Sequence, residues 1–503
     1  MDNNQVSVKS SQCTEVLWEL AERFPDEIIG WCEADFENKI SLENWDGIFK
    51  HQLIMASYAV NSTFLPGSIG YVDQLPFVNV NRNVLFGTWQ MSSDVGGIRG
   101  EVLKKFEKTH CKVMDLNYLL NSIAKLGQQK GLFCYSAPDL VLCNSGLLIQ
   151  SASKSQLFKF VYQHYKTLWC SILLLSLFYY KNQLPLWPYL TAFGKKKMIN
   201  ISIDLTDIKI IEKHKISPDT IDVVIPTMGR PAHLLQVVKD LAAQQLLPKN
   251  VIIVEQDPDP RSVTALRVLS EEKWPFRIIH HFIHQTGACN ARNLALKEVT
   301  SNWVFFCDDD NRIEDHVLTS ALKEMNRYGA LGLNTAYRQK DEQMIFHFVK
   351  QWGTFGSGNG FVSTEMVKKV AFSPIFEHGY GEDADFGMQL RNVGCDIIYH
   401  PDIEIEHLKA PMGGFRQKPR LDWEKEIPLP KPSPTVMALA LRYYTPEQLK
   451  GFKISVFLKY YRKQLIKNPL TYYKIMSRRW TISEEWAAKL QKDYNNSESL
   501  TPS

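Results

Sequence analysis

The chain has nine cysteines among its 503 residues and no CxxC pair. An odd number cannot pair completely, and this usage predicts a reducing compartment with free thiols. Long apolar runs are also lacking. The longest, LWCSILLLSLFYY at residues 168–180, falls short of the ~20 residues that a helix needs to cross a bilayer. The opening, MDNNQVSVKSSQ, holds no apolar stretch of the kind a secretory leader needs. Together these absences predict a cytoplasmic location, with any membrane contact peripheral and at the inner face. Neither charge sign dominates: 58 Lys and Arg stand against 54 Asp and Glu, for a net +4. With no recognition motif present, that balance argues against a nucleic-acid partner. What is there is apolar and aromatic. A hydrophobic share of 45% and an aromatic share of 12% exclude a disordered chain. At ~150 residues per domain the length predicts two or three domains.

Three regions differ in rhythm. Residues 1–200 mix short strand-like and helix-like pieces, and YVDQLPFVNVNRNVLFGTWQMSSDVGG predicts strands joined by turns. The region ends in the apolar and aromatic helices of residues 155–193, closed by Pro185, Pro188 and Lys195–Lys197. A boundary falls between about 195 and 220. In residues 220–415, short apolar runs (IDVVIPT, NVIIVEQ, FRIIHHF, NWVFFC) alternate with helical stretches. That alternation predicts an α/β fold with a parallel sheet, whose ligands bind at the carboxyl ends of strands. Residues 416–503 form a Pro-rich connector, PLPKPSPT, and a helical tail. From Gln448 to Ser483 that tail carries nine Lys or Arg, no acidic residue and interleaved aromatics. Both this tail and residues 155–193 fit either an anionic membrane surface or packing between domains.

One strand-like run drives straight into three aspartates, WVFFCDDDN. On an extended strand end, Asp308 and Asp310 would share one side and Asp309 the other. Two converging carboxylates suit a hard cation such as Mg²⁺ or Mn²⁺, which also relieves their repulsion. An acidic turn before a helix is the plainer reading of the triplet. In HGYGEDADFGMQLRNVG, Glu382 and Asp383 follow a Gly-rich turn and open a helix that Gly394 ends. A carboxylate there would suit a general base. His407 ends the apolar face of IEIEH, as a core histidine or a third metal ligand. In HQTGACNARNLAL a turn at Gly287 precedes a helix whose first amides could hold an anion. Arg292, one turn in, could pair with phosphate.

Taken in order, PTMGRP, VIIVEQDPDP, GACNARNLAL, FFCDDDN, GYGEDADFGMQLR and EHLK resemble a family 2 glycosyltransferase of the GT-A fold, over roughly residues 220–415. The resemblance implies inverting transfer of a hexosyl or related sugar from a nucleotide-diphosphate sugar, a UDP-sugar first among donors. It implies a glycan or lipid-linked acceptor, and a role in cell-surface polysaccharide or glycolipid synthesis. It places Thr227, Arg230, Asp257, Arg292, Asp308 and Asp309 near the nucleotide, and Mn²⁺ or Mg²⁺ on Asp308, Asp310 and His407. It assigns the general base to Asp383 with Glu382 beside it, and the acceptor side to Gly356, Ser357, Gly358 and Asn359. The ending VEQDPDP departs from the commoner Asp- and Ser-rich form, and the middle Asp309 leaves the chelating pair open. Residues 1–200 resemble a degenerate, non-catalytic GT-A-like domain, with a generic α/β accessory domain as the alternative. Asp73 and Asp94 stand there singly, without a motif. Two other functions compete: a glycan-binding or scaffold protein on a transferase fold, and a metal-dependent phosphoryl enzyme. Against the second, Arg312 occupies the place where a dehalogenase-type phosphatase wants Thr or Val.

Overall fold

The computed structural model describes residues 6–143, 146, 148–211, 219–411 and 419–498. The boundary expected near 195–220 includes residues 212–218, which lie outside the described residues. The chain forms two compact units. One spans 1–213 with 327–329 and 445–452, the other 214–326, 330–444 and 453–503.

The first unit is built on a five-stranded mixed sheet. Its order is Ile28–Cys32, Val95–Arg99, Ile54–Tyr58, Phe133–Ser136 and Phe86–Gly87. Around Tyr71–Gly97 the expected strands joined by turns are found in part. Gly67–Tyr71 and Pro76–Val78 are 3₁₀ turns, and only Phe86–Gly87 and Val95–Arg99 are strands. Pro66 and Pro76 fix φ and remove backbone donors there, which favours tight turns over ladders. The two isolated acids have structural partners. Asp94 Oδ2 accepts from the amides of Val60, Asn61 and Ser62 at 2.8, 2.7 and 2.9 Å. Buried Asp73 pairs with Lys125 Nζ at 2.8 Å and accepts from the Tyr165 hydroxyl at 2.7 Å. Among the described residues no helix is long and apolar enough to cross a membrane.

The second unit has a sheet of nine strands, eight of them in the path Arg277–Ile283, Asn250–Gln256, Ile221–Thr227, Trp303–Cys307, Asn359–Ser363, Gly332–Arg338, Ile397–His407 and Asn311–Ile313. The first four are parallel. In chain order they run third, second, first, fourth, so the order reverses between Ile221–Thr227 and Trp303–Cys307. Such a switch point leaves a crevice at the strands' carboxyl ends. The Asn250–Gln256 and Trp303–Cys307 strands are buried at every position, as a sheet covered on both faces requires. Asp222 is the exception inside the first strand. Its carboxylate accepts from the amides of Asn250, Thr300 and Ser301 at 3.1, 2.7 and 3.0 Å, which fixes the turn that launches the aspartate strand.

The unit closes with the helices Pro434–Tyr443 and Pro469–Glu498. In the basic tail, Met476 and Trp480 are buried, and the Trp480 indole donates to Glu484 at 2.7 Å. These side chains face inward and not toward solvent.

Candidate active site

The aspartate strand stops at Cys307. Asp308–Asp310 turn into the short strand Asn311–Ile313, so the expected extended strand end is corrected to a turn. Gly358 sets it: its carbonyl accepts from the Asp308 amide at 3.2 Å and from Asn311 Nδ2 at 2.8 Å. Asn311–Ile313 then pairs antiparallel with Ile397–His407, Asn311 opposite His407. This register delivers the imidazole to the triplet. One ligand atom each from Asp308, Asp310 and His407 lies within 4.8 Å of the others. Asp310 Oδ2 accepts from the Ala410 amide at 2.9 Å and faces Arg230 at 3.3 Å, while Oδ1 is 3.6 Å from His407 Nε2. Two carboxylates and one imidazole form a donor set that Mn²⁺ or Mg²⁺ accepts.

Asp309 turns the other way. It is buried, and accepts from Thr227 Oγ1 at 2.7 Å and from Arg230 Nη1 at 2.8 Å. Burial pushes its carboxyl up to about 6, against the pull of Arg230 and Thr227. Asp309 thus accepts from both Thr227 and Arg230, and this cluster ties the first strand's end to the triplet. All three also line a cleft of about 550 Å³ together with Arg292, Asp308, Asp310, Glu382, Asp383 and His407. Asp257 does not line it. From that strand end the lining residue is Gln256, whose Oε1 accepts from the Gly287 amide at 2.5 Å.

Arg292 is buried on the cleft's wall. Its Nη2 donates to Asp308 Oδ1 at 3.3 Å, while Nε and Nη1 are buried and have no hydrogen-bond partner among the described residues. The helix that carries it, Ala288–Leu296, does not offer its first amides to a ligand, contrary to expectation. The Glu377 carboxylate already caps it, accepting from Cys289 and Asn290 at 3.0 and 2.8 Å. Gly287 makes room for that cap: with φ at 139°, a Cβ there would sit 2.2 Å from Glu377 Cδ.

Glu382 and Asp383 open the helix Glu382–Asn392 after Gly381. Both are half-buried. The Ser357 hydroxyl donates to Asp383 Oδ1, and the Ser357 amide donates to the same oxygen at 3.2 Å. Burial raises the Asp383 carboxyl despite Arg292 and Ser357. Burial, and then the charge of Asp383, raise Glu382 to about 7. One turn on, the fully buried Asp385 accepts from Tyr443 at 2.7 Å, Arg442 at 3.0 Å and Gln389 at 2.6 Å. The helix Pro434–Tyr443 therefore braces the acidic pair.

Besides Gln256, sequence reasoning missed Tyr337, His378 and Lys409 on the lining. The Tyr337 ring stacks on His407 at 4.4 Å, and its hydroxyl lies 3.0 Å from Asp308 Oδ2 and 2.8 Å from Asn311 Oδ1. His378 and Lys409 line the cleft at positive φ, 59° and 51°. Nothing in the pattern around Tyr337 marked it. Its role depends on the register between strands.

Residues 222–360 match the family model of glycosyl transferase family 2. A curated relative, the succinoglycan biosynthesis protein ExoM of Rhizobium meliloti (strain 1021), is 23% identical over 201 residues, or 36% of this chain. The match spans 64% of that relative's length. Among solved structures, S. aureus TarS 1–349 in complex with UDP-GlcNAc is 17% identical, with a TM-score of 0.37, and the likeness covers 47% of this chain and 70% of that one. GalNAc-T7 with UDP, GalNAc and Mn²⁺ is 9% identical, with a TM-score of 0.37, covering 46% of this chain and 49% of that one. By this match, residues 222–360, which carry Thr227, Arg230, Arg292 and the Asp308–Asp310 triplet of the cleft, resemble glycosyl transferase family 2 on an α/β fold.

Proposed function

We propose that the second unit transfers a sugar, with inversion, from a nucleotide-diphosphate sugar to an acceptor hydroxyl. One observation carries this reading. Among the described residues, buried Arg292 has two nitrogens without partners, beside an acidic set able to hold a divalent cation. A leaving diphosphate is the group that both would accept. In this reading Asp308, Asp310 and His407 hold Mn²⁺ or Mg²⁺. When bound, that cation supplies charge stabilisation to the leaving oxygen. Arg292 donates to the same diphosphate and fixes its orientation. Asp383, held by Ser357, takes the proton of the acceptor hydroxyl. The acceptor oxygen bonds to the anomeric carbon as the bond from that carbon to the phosphate oxygen breaks, and the nucleoside diphosphate leaves. The raised Asp383 carboxyl supports this role, because a base works best with a pKa near the operating pH. Glu382, beside it, keeps the pair from carrying two full charges at neutral pH. The role of ExoM in succinoglycan biosynthesis supports polysaccharide synthesis as the setting; the reading keeps a glycan or lipid-linked acceptor, and glycolipid synthesis, as its extension. We read the first unit as an accessory domain, since Asp73 and Asp94 are both engaged in structural bonds.

The test pairs two variants. Asp310→Ala should abolish Mn²⁺-dependent binding of UDP and UDP-sugars in calorimetry, whereas Asp383→Asn should keep that binding and lose transfer. Wild-type binding in the first variant, or wild-type turnover in the second, refutes the assignment.

A further inference from the structure

The helix Leu168–Lys181 buries one stripe: Cys170, Ile172, Leu173, Ser176 and Leu177. Its opposite stripe is apolar as well. Leu168, Leu175, Phe178 and Tyr179 are 54%, 48%, 51% and 65% exposed, with only Ser171 polar among them. The outer face of a surface helix is ordinarily polar. Ser171 Oγ lies 3.1 Å from the Tyr189 hydroxyl, which brings the short helix Leu186–Ala192 alongside that stripe. The second helix adds Trp187, Leu190 and Leu186, exposed by 75%, 60% and 49%. Along the local chain the charge has one sign, although Lys181 pairs with Glu447 at 3.1 Å. Between Leu140 and Ile203 the chain holds seven lysines and no acidic residue. Lys166, Lys195 and Lys196 are exposed beside the patch, while Lys197 is held by the carbonyls of Tyr162 and Tyr165.

We propose that this pair of helices docks on a membrane surface carrying anionic phospholipid. The 14 residues of the longer helix rise about 21 Å, short of the ~30 Å hydrocarbon core, so it lies in the interface and does not span it. Exposed Trp and Tyr suit the headgroup level, and lysines add attraction to an anionic leaflet. Charge complementarity selects this occupant over a second copy of the chain, because two such patches face to face would oppose lysine to lysine. The proposal uses no residue of the transferase site.

The experiment is flotation of the full chain with vesicles of phosphatidylcholine, alone or with phosphatidylglycerol added. The chain should float with the anionic vesicles only and be released by salt. Trp187→Glu/Leu190→Glu should abolish flotation. Lys195→Gln/Lys196→Gln should weaken it roughly thirtyfold. Leu470→Glu/Tyr473→Glu, on exposed positions of the tail, should float like wild type. All substituted positions are solvent-facing, and an unchanged melting temperature confirms folding. Absence of flotation, equal flotation with neutral vesicles, or wild-type flotation of the Trp187→Glu/Leu190→Glu protein overturns the proposal. So does a concentration-dependent dimer, with no vesicle binding, that those two substitutions dissolve, since a second copy would then be the occupant.

Discussion

Gly358→Ala should switch off the cation site without unfolding the unit. An added Cβ would lie 2.1 Å from Asp308 Oδ2 and 2.5 Å from Cγ. The ordinary contact limit is 3.4 Å, so one partner must move by more than 1 Å. The backbone at Gly358 is held by two hydrogen bonds to its carbonyl, so the carboxylate is what yields. It leaves Arg292 and Tyr337 and swings out of reach of Asp310 and His407. Losing the support of a ligand costs about 10–100-fold in metal affinity. With Mn²⁺ at about a hundred times the wild-type Kd, binding stabilises the fold by about 2.7 kcal/mol, and a hundredfold weaker Kd leaves about 0.4 kcal/mol. The variant should therefore forfeit about 2 kcal/mol of Mn²⁺-dependent stability. Thermal melts over a Mn²⁺ titration, with EDTA as the baseline, read this directly. An equal Mn²⁺-induced rise in the two proteins would falsify the steric argument and the ligand role of Asp308 together.

Other perturbations test the acidic pair and its support. Glu382, raised to about 7, should give a transfer rate that climbs with pH through about 7, and Glu382→Gln should move that limb to lower pH. For stability the sign is opposite. Folded Glu382 keeps its proton up to about 7, whereas the unfolded group releases it near 4.5, so its contribution falls as pH rises between them. Urea melts across that window should show a flatter slope for Glu382→Gln. Ser357→Ala removes a donor to Asp383, so the rate profile should shift to higher pH with donor affinity kept; an unmoved profile counts against the contact. Tyr443→Phe strips one donor from buried Asp385, at about 1–3 kcal/mol in denaturant unfolding, and should lower kcat more than donor affinity. Wild-type values for both would dismiss the bracing role.

Much of the second unit could be read from short-range pattern. Apolar runs marked the parallel strands, and glycine before Glu382–Asp383 marked a helix start that the fold reproduces. The alternation rule assumed extended backbone through Asp310, and it misjudged a turn that Gly358 imposes from 50 residues away. Its separation of Asp309 from its neighbours still describes where the carboxylates point, for a different reason. The Glu377 cap lies 88 residues from Cys289, and Tyr337 lies 29 from Asp308. Contacts at such separations follow from sheet order and register, which no local pattern encodes. The membrane expectation was split between two basic-aromatic stretches of similar composition. Only burial separates them: Trp480 turns inward while Trp187 faces solvent.

The pairing of Asn311 with His407 makes the acidic cluster a sensor of strand register. A slip by one residue along Ile397–His407 would send the imidazole to the other face of the sheet. Cation uptake would then reward only the correct alignment of the last strand, so the ion would act as a folding checkpoint. A single deletion between Ile397 and Glu406 would silence the cluster while leaving each of its residues in place.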